Sequence, residues 1–441
     1  MSIFKAYDIR GLVPQELDED LAWRIGRAAA DFFGARRFMV GSDDRTSRDM
    51  LFQALTRGLR DQGVEVVDIG KVSTPILYYT LAEQGFDAGV MITASHNPGR
   101  YNGFKFCRKG AQPVPQEMLQ EIRALVERNE FKPAPVRGGI SSMDPFPAYR
   151  RFLEKTSTLD RSYKVVVDAG NAVCGLFLLD LYRDTRLDIV PMYFESDPTF
   201  PNHEPNPLEE ENTADLRRRV VAEGADLGVA LDGDGDRIMF IDETGRQLAG
   251  DITTLLIALG LQEAGAGNFD VVVDCRSSRA VEEILKEHGL SCTKSRVGHT
   301  FIKGLMRAND SLCGGELSGH YYFKANSFTE NTDLALFTLL RMLDKRRCKL
   351  SELVSPLLRY VQSGEINSRV ESVEDTLQRL RTSFGDGRQS TIDGLTVEYD
   401  TWWFNVRPSN TEPLLRLNLE ASTRAEMETR RDHVLSVIRN S

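Results

Sequence analysis

Three short apolar, β-branched runs punctuate the chain, each closing on an acidic residue. They are Phe38-Met39-Val40-Gly41-Ser42-Asp43, Val165-Val166-Val167-Asp168-Ala169-Gly170 and Val271-Val272-Val273-Asp274-Cys275-Arg276. Each predicts a strand running into a loop. Helical patterns follow over 47–62, 174–183 and 277–288, and second strands over 64–69, 187–194 and 290–294. A third apolar strand then ends in a polar loop each time. These loops are Thr93-Ala94-Ser95-His96-Asn97-Pro98, Asp232-Gly233-Asp234-Gly235-Asp236-Arg237 and Gly315-Glu316-Leu317-Ser318-Gly319-His320. The first two follow matching phrases, Asp87-Ala88-Gly89-Val90 and Asp226-Leu227-Gly228-Val229. Strand–helix–strand repeated at intervals of about 105–140 residues reads as a triplicated α/β domain, because solenoid periods are far shorter. Ligands of open α/β sheets sit beyond the carboxyl ends of strands, so the three loops are expected to face one central cleft.

After Gln362-Ser363-Gly364 the period changes. A helix over 373–383 precedes strands over 395–399, 402–406 and 414–420 and a last helix over 424–438. Leu415, Leu417 and Leu419 alternate with Arg416, Asn418 and Glu420, which is a half-buried strand. This predicts a smaller antiparallel α+β module. The expected division is 1–150, 151–250, 251–362 and 363–441, with 132–147, rich in Pro, Gly and Ser, as the first linker.

Composition narrows the functions open to the chain. Its 441 residues carry a formal charge of −10, so a dominant basic surface for nucleic acid is not expected. An anionic ligand needs a local gathering of Arg and Lys against that field. No uncharged apolar stretch reaches about 18 residues, the length a membrane-crossing helix needs. The start, Met1-Ser2-Ile3-Phe4-Lys5-Ala6-Tyr7-Asp8, lacks the apolar core of a secretory signal. The cysteines at 107, 174, 275, 292, 313 and 348 are scattered, with no CxxC, which fits free thiols and a cytoplasmic location.

Chemistry concentrates in the polar loops. Asp232, Asp234 and Asp236 alternate with glycines, so three carboxylates converge, and their repulsion calls for a cation. Oxygen ligands suit Mg²⁺. Arg237 stands where an EF-hand requires Gly; a solvated acidic turn is the plainer alternative. Ser95, beside His96, is a candidate nucleophile or phosphate carrier, or else part of a helix-capping loop. Lys105 is a candidate acid–base group, its pKa expected to fall in a desolvated cleft, or an exposed surface lysine. Glu316, Ser318 and His320 suit sugar hydroxyls, or an ordinary turn. In Arg407-Pro408-Ser409-Asn410-Thr411-Glu412-Pro413 the guanidinium, hydroxyls and amide suit a phosphate, or a hairpin held by its prolines.

Taken in this order, with Phe4-Lys5-Ala6-Tyr7-Asp8-Ile9-Arg10-Gly11 and Phe200-Pro201-Asn202-His203-Glu204-Pro205-Asn206-Pro207, the loops resemble the α-D-phosphohexomutase superfamily along the whole chain. The match is to its phosphomannomutase and phosphomannomutase/phosphoglucomutase branch. The resemblance implies an isomerase interconverting mannose 6-phosphate and mannose 1-phosphate through a phosphoserine at Ser95 and a sugar 1,6-bisphosphate, which also serves as activator. It implies Mg²⁺ on Asp232, Asp234, Asp236 and the Ser95 phosphate. Arg10, Lys105, Arg237 and His299 would line the reacting phosphate, with His96 beside Ser95 and Lys105 as general acid/base. Tyr7, Glu316, Ser318 and His320 would bind the sugar. Arg407, Ser409, Asn410 and Thr411 would hold the other phosphate. Hexose phosphates are the expected partners, with no nucleic acid or membrane; the oligomeric state is open. The chain departs from the strict phosphomannomutases at Leu317 and Gly319, which look like the dual-specificity form. Where some such members carry a substrate-binding lysine, Asp274-Cys275-Arg276 stands here, with Arg276 as the substitute. Asn410 argues against glucosamine phosphate as the substrate. A non-catalytic sugar-phosphate sensor would lack a key group, and none is missing.

Overall fold

The computed structural model describes residues 3–5, 7–408 and 414–439. Its chain forms two compact units, Met1–Leu248 with Ser318–Ser351, and Ala249–Leu317 with Glu352–Ser441.

The first unit contains two sheets built on one plan. In the first, the strand order is Ile9–Leu12, Tyr101–Arg108, Ala88–Ile92, Arg37–Ser42, Glu65–Lys71, Ile140–Ser142. In the second it is Ile238–Asp242, Leu227–Leu231, Tyr163–Asp168, Leu187–Met192. Tyr101–Arg108 and Ile238–Asp242 run antiparallel to their neighbours, and the strands beyond pair in parallel. The predicted repeat is therefore present as topology. Its central strands are buried throughout, which is why they read as continuous apolar runs. Helices Glu19–Phe33 and Arg48–Asp61 cover the first sheet, and Phe38, Val40, Leu55, Leu59, Val90, Ile92 and Phe104 fill the layer between. Asp18 caps the first of these helices through the Leu21 N–H at 2.8 Å.

In the second unit, Ser291–Ser295, Asp270–Asp274 and Cys313–Gly315 form a parallel set with helices Gly250–Leu261, Arg279–Glu287 and His299–Asn309. The C-terminal module is the expected antiparallel sheet, ordered Val361–Gln362, Leu414–Ala421, Trp402–Pro408, Leu395–Glu398, Arg388–Ser390, with Ile366–Arg369 also on Leu414–Ala421. Leu415, Leu417 and Leu419 join Trp402, Phe404 and Leu380 in its core.

Three local expectations are corrected. The 132–147 linker contains the edge strand Ile140–Ser142, parallel to Glu65–Lys71; all three of its residues are exposed, so no apolar alternation marked it. The helix expected over 174–183 is a 3-10 turn, Val173–Leu176, and a short helix, Leu178–Leu181, parted by the non-helical Phe177 at φ −136°. The strand expected to reach 194 ends at Met192, because Tyr193 takes φ +53°.

Candidate active site

In the first unit the repeat puts two equivalent loops together. Each follows the strand beside an antiparallel neighbour, Ala88–Ile92 beside Tyr101–Arg108 in one sheet and Leu227–Leu231 beside Ile238–Asp242 in the other. Ser95 Oγ donates to Asp232 Oδ2 at 2.8 Å. The approach depends on Gly233, because a Cβ there would lie 2.2 Å from the Ser95 carbonyl oxygen. Ser95 itself is 3 % exposed and holds φ +51°, a left-handed backbone costing about 1–2 kcal/mol for a residue with a Cβ. Such strain concentrates at functional sites.

That conformation is held from behind. Thr93 Oγ1 accepts the Ser95 N–H at 2.8 Å and donates to Asp43 Oδ2 at 2.7 Å. The buried Arg45 guanidinium binds Asp43 and donates to the carbonyls of Ser95, Asn97, Pro98 and Tyr101 at 2.7–2.9 Å. Burial pushes the Asp43 carboxyl up to about 6 against the pull of Arg45. These supporting residues escaped the sequence reading. The only signal was an Asp at a strand end with an Arg two residues on.

Asp232, Asp234 and Asp236 are buried, and one oxygen from each lies within 4.8 Å of the others. Asp232 Oδ1 accepts the N–H groups of Asp236 and Arg237, both at 3.1 Å, which curls the loop. Asp234 Oδ2 takes Thr74 Oγ1 at 2.6 Å and Lys105 Nζ at 2.9 Å, and Lys105 also reaches Asp236 Oδ2 at 2.6 Å. Asp234 Oδ1 is buried without a hydrogen-bond partner. Burial and the neighbouring carboxylates of Asp236 and Asp234 raise the Asp232 pKa well above its ordinary value. Burial also works to raise Asp236, but Lys105 and His320 outweigh it and hold that carboxyl well down. A buried carboxylate oxygen left over in a triad of hard oxygen donors fits a divalent cation such as Mg²⁺.

Lys105 corrects one expectation. Burial works to lower its pKa, yet Asp234 and Asp236 dominate and hold it well above the ordinary value. It is a firmly charged ammonium here. Arg10, in strand Ile9–Leu12, donates to Asn97 Oδ1 at 2.6 Å and pairs with Asp8 at 2.5 Å. Tyr7 is half-buried in the preceding turn. His96 Nδ1 lies 3.2 Å from Ser95 Oγ. Arg237, burial and Arg10 drive its pKa well below the usual histidine range, so its ring is neutral. His320 Nε2 sits 3.3 Å from Arg237 Nε and 3.3 Å from Asp236 Oδ1, and its Nδ1 is 2.9 Å from Ser318 Oγ.

Glu316, Arg407 and His299 belong to the second unit; its division from the first falls between Leu317 and Ser318. Glu316 is buried, and Oε1 accepts the Gly298 N–H at 2.9 Å, one residue before His299 opens helix His299–Asn309. Arg407 donates to Glu365 Oε2 at 2.9 Å. Arg416 and Arg276 reach the same carboxylate at 2.8 and 3.3 Å. Arg276 is also bound to Asp274 at 2.8 Å through Nη2. Burial works to raise Glu365, but Arg407, Arg276 and Arg416 bring it down to about 2. Glu365 carried no motif in the sequence. Ser409, Asn410 and Thr411 lie outside the described residues.

The family comparisons agree along the chain. Models for the phosphoglucomutase/phosphomannomutase alpha/beta/alpha domains I, II and III and C-terminal domain match residues 1–133, 147–245, 249–360 and 365–437. This chain belongs to that family, in the phosphomannomutase branch of the α-D-phosphohexomutase superfamily. It is 35% identical over 445 residues to a phosphomannomutase of Methanocaldococcus jannaschii, covering 99% of this chain and 98% of the relative. A phosphomannomutase/phosphoglucomutase of Pseudomonas aeruginosa is 36% identical over 448 residues, covering 100% and 95%. The crystal structure of a Burkholderia thailandensis protein of the phosphoglucomutase/phosphomannomutase family superposes with TM-score 0.90 at 31% identity, covering 99% and 97% of the chains.

Proposed function

We propose that this protein is a phosphomannomutase that interconverts mannose 6-phosphate and mannose 1-phosphate through a phosphoserine at Ser95. The carrying observation is the buried Ser95 hydroxyl in a left-handed turn, 2.8 Å from one carboxylate of an acidic triad. The full-length relatives called phosphomannomutase supply the substrate.

Each half-reaction exchanges one P–O bond. The bond from phosphorus to Ser95 Oγ breaks as a bond to a sugar hydroxyl oxygen forms, and the proton of that hydroxyl passes to Ser95 Oγ. Ser95 Oγ then takes a phosphoryl group from the other end of the sugar 1,6-bisphosphate, and its proton passes to the sugar oxygen that is released. Phosphoryl transfer rests mainly on positioning and charge neutralisation. Arg10, Arg237 and Lys105 supply fixed positive charge around the Ser95 loop, and the neutral His96 adds none. Lys105 is held as an ammonium by Asp234 and Asp236, so it gives up a proton, and can then take one back, only after that grip loosens. When bound by Asp232, Asp234, Asp236 and the Ser95 phosphate, Mg²⁺ would polarise the phosphoryl oxygens. Glu316, Ser318, His320 and Tyr7 are assigned to the sugar, Arg407 with Ser409, Asn410 and Thr411 to the non-reacting phosphate, and His299 to the reacting one. Domains of 1–150, 151–250, 251–362 and 363–441 and a cytoplasmic location complete this reading.

Glucose phosphates are assigned as secondary substrates. Gly319 holds φ +80°, and a Cβ there would lie 2.8 Å from Met239 Sδ, so the Gly form of the sugar loop is built into the packing. The test is the purified chain with Mg²⁺ and a hexose 1,6-bisphosphate, offered mannose, glucose and glucosamine 1-phosphates in parallel. Mannose 6-phosphate is expected to form fastest; absence of turnover on mannose phosphates, or glucosamine phosphate as the best substrate, refutes the reading.

A further inference from the structure

The Pro-rich stretch from Phe200 to Pro207 has no part in the chemistry above, yet it touches both loops that do. On one side, the Phe200 ring lies 5.5 Å below the guanidinium of Arg45, the group that holds the carbonyls of the Ser95 loop. The Pro198 carbonyl oxygen packs so closely on Gly99 that a Cβ there would come within 2.2 Å of it. Ser196 Oγ donates to Asp44 Oδ2 at 2.7 Å in the same domain as Ser95. On the other side, Pro205 Cγ lies 3.4 Å from where a Cβ of Gly233 would stand, against the metal loop.

The segment is pinned at its middle. His203 Nε2 faces Asp168 Oδ2 at 3.0 Å and Nδ1 faces the Glu204 carbonyl at 2.8 Å, so both ring nitrogens meet acceptors. Asp168 closes strand Tyr163–Asp168 and is 1 % exposed. Asn202 donates to Asn171 Oδ1 at 2.7 Å, and Asn171 donates to the Glu195 carbonyl at 2.8 Å. The Tyr193 ring packs 5.4 Å from the imidazole.

We propose that residues 196–207 brace the Ser95 loop against the metal loop, with His203 and Asp168 as positioning residues that fix the spacing on which the Ser95 Oγ to Asp232 contact depends. The brace never touches the reacting atoms. It acts by denying the two loops independent motion, and sub-ångström errors in such spacing cost rate more than affinity. The proposal rests on the phosphoserine reading for its effect on turnover, but not for its effect on motion.

The test is amide hydrogen exchange on the full chain, wild type against His203→Ala and His203→Gln, followed by kinetics. In His203→Ala, peptides over 93–101 and 231–238 are expected to exchange about tenfold faster, with peptides over 414–421 unchanged. In the same variant kcat falls about 10- to 100-fold with KM within about twofold. The glutamine amide can still donate to Asp168, so His203→Gln recovers most of both losses. Phe200→Leu, which keeps an apolar side chain, speeds exchange over 93–101 and serves if His203→Ala does not fold. Unchanged exchange in the two loops, acceleration confined to 196–207, a KM rise without a kcat loss, or no recovery in His203→Gln overturns the brace. Failure of the phosphomutase reading would appear separately, as a wild type without turnover, leaving the exchange result intact.

Discussion

Two charge clusters of opposite sign stand out among the described residues, a buried acidic one in the first unit and a partly exposed basic one in the second. The acidic one gathers Asp232, Asp234 and Asp236 around Lys105 and leaves Asp234 Oδ1 buried without a partner. The basic one gathers Arg276, Arg407 and Arg416 around Glu365 and leaves Arg407 Nε and Arg416 Nε buried without partners. Leaving a buried donor or acceptor unmade costs about 1–3 kcal/mol, and a ligand of the matching charge would recover it. The first has acceptors to spare and suits a cation; the second has donors to spare and suits an anion. Internal counter-ions hold each together: Lys105 among the aspartates, and Glu365 with Asp274 among the arginines.

The sharpest way to break this pairing lies on the acidic side. Asp234→Asn removes a carboxylate that nothing else replaces; turnover is expected to fall about 10²- to 10³-fold. Mg²⁺ affinity measured by calorimetry should weaken with it, and a variant that binds Mg²⁺ normally would refute the metal assignment. On the basic side Arg407→Ala should lower kcat/KM about 100-fold, chiefly through KM, as the proposed role on the non-reacting phosphate requires. A loss confined to kcat would place Arg407 elsewhere in the reaction.

Glu365 refines the comparison through pH. Its carboxyl is depressed from 4.5 to about 2, so its stabilisation is complete above the unfolded value and drains away as pH falls from 4.5 towards 2. Chemical denaturation across that window should show wild-type stability falling more steeply than that of Glu365→Gln. Parallel slopes would mean the three guanidinium groups do not hold the carboxylate. The smallest effect is expected for Gly319→Ala, where φ +80° and the nearby Met239 Sδ disfavour a methyl group. A stability loss of about 1–2 kcal/mol follows from the left-handed backbone alone, read as a lowered Tm.

The same two clusters show what the sequence revealed and why. The acidic triad was visible because its members lie two residues apart in one loop, and the strand before it is an unbroken apolar run. Ser95 was visible as a small hydroxyl residue beside His96 at the mouth of a strand. The arginine cluster joins residues 276, 365, 407 and 416, which the chain brings together only by folding; Arg276 and Arg407 stood in motifs, but nothing linked them to each other or to Glu365. Arg45 and Asp43 were hidden for the same reason, since their partners lie about 50 residues on. The topology of the first two sheets was legible because buried parallel strands carry a strong signal. The edge strand Ile140–Ser142 was not, because an exposed edge needs no apolar pattern. The charge of Lys105 was misjudged because its burial was foreseeable and its two aspartate partners were not.

The central claim is that Ser95 carries the phosphoryl group. Incubation with a hexose 1,6-bisphosphate and Mg²⁺, followed by mass spectrometry of the intact chain and of the peptide containing Ser95, tests it directly. One added phosphoryl group is expected, located on Ser95, and absent from Ser95→Ala together with its mutase activity. A Ser95→Ala protein that keeps the wild-type rate, or an active wild type whose phosphoryl group sits on another residue, would contradict it.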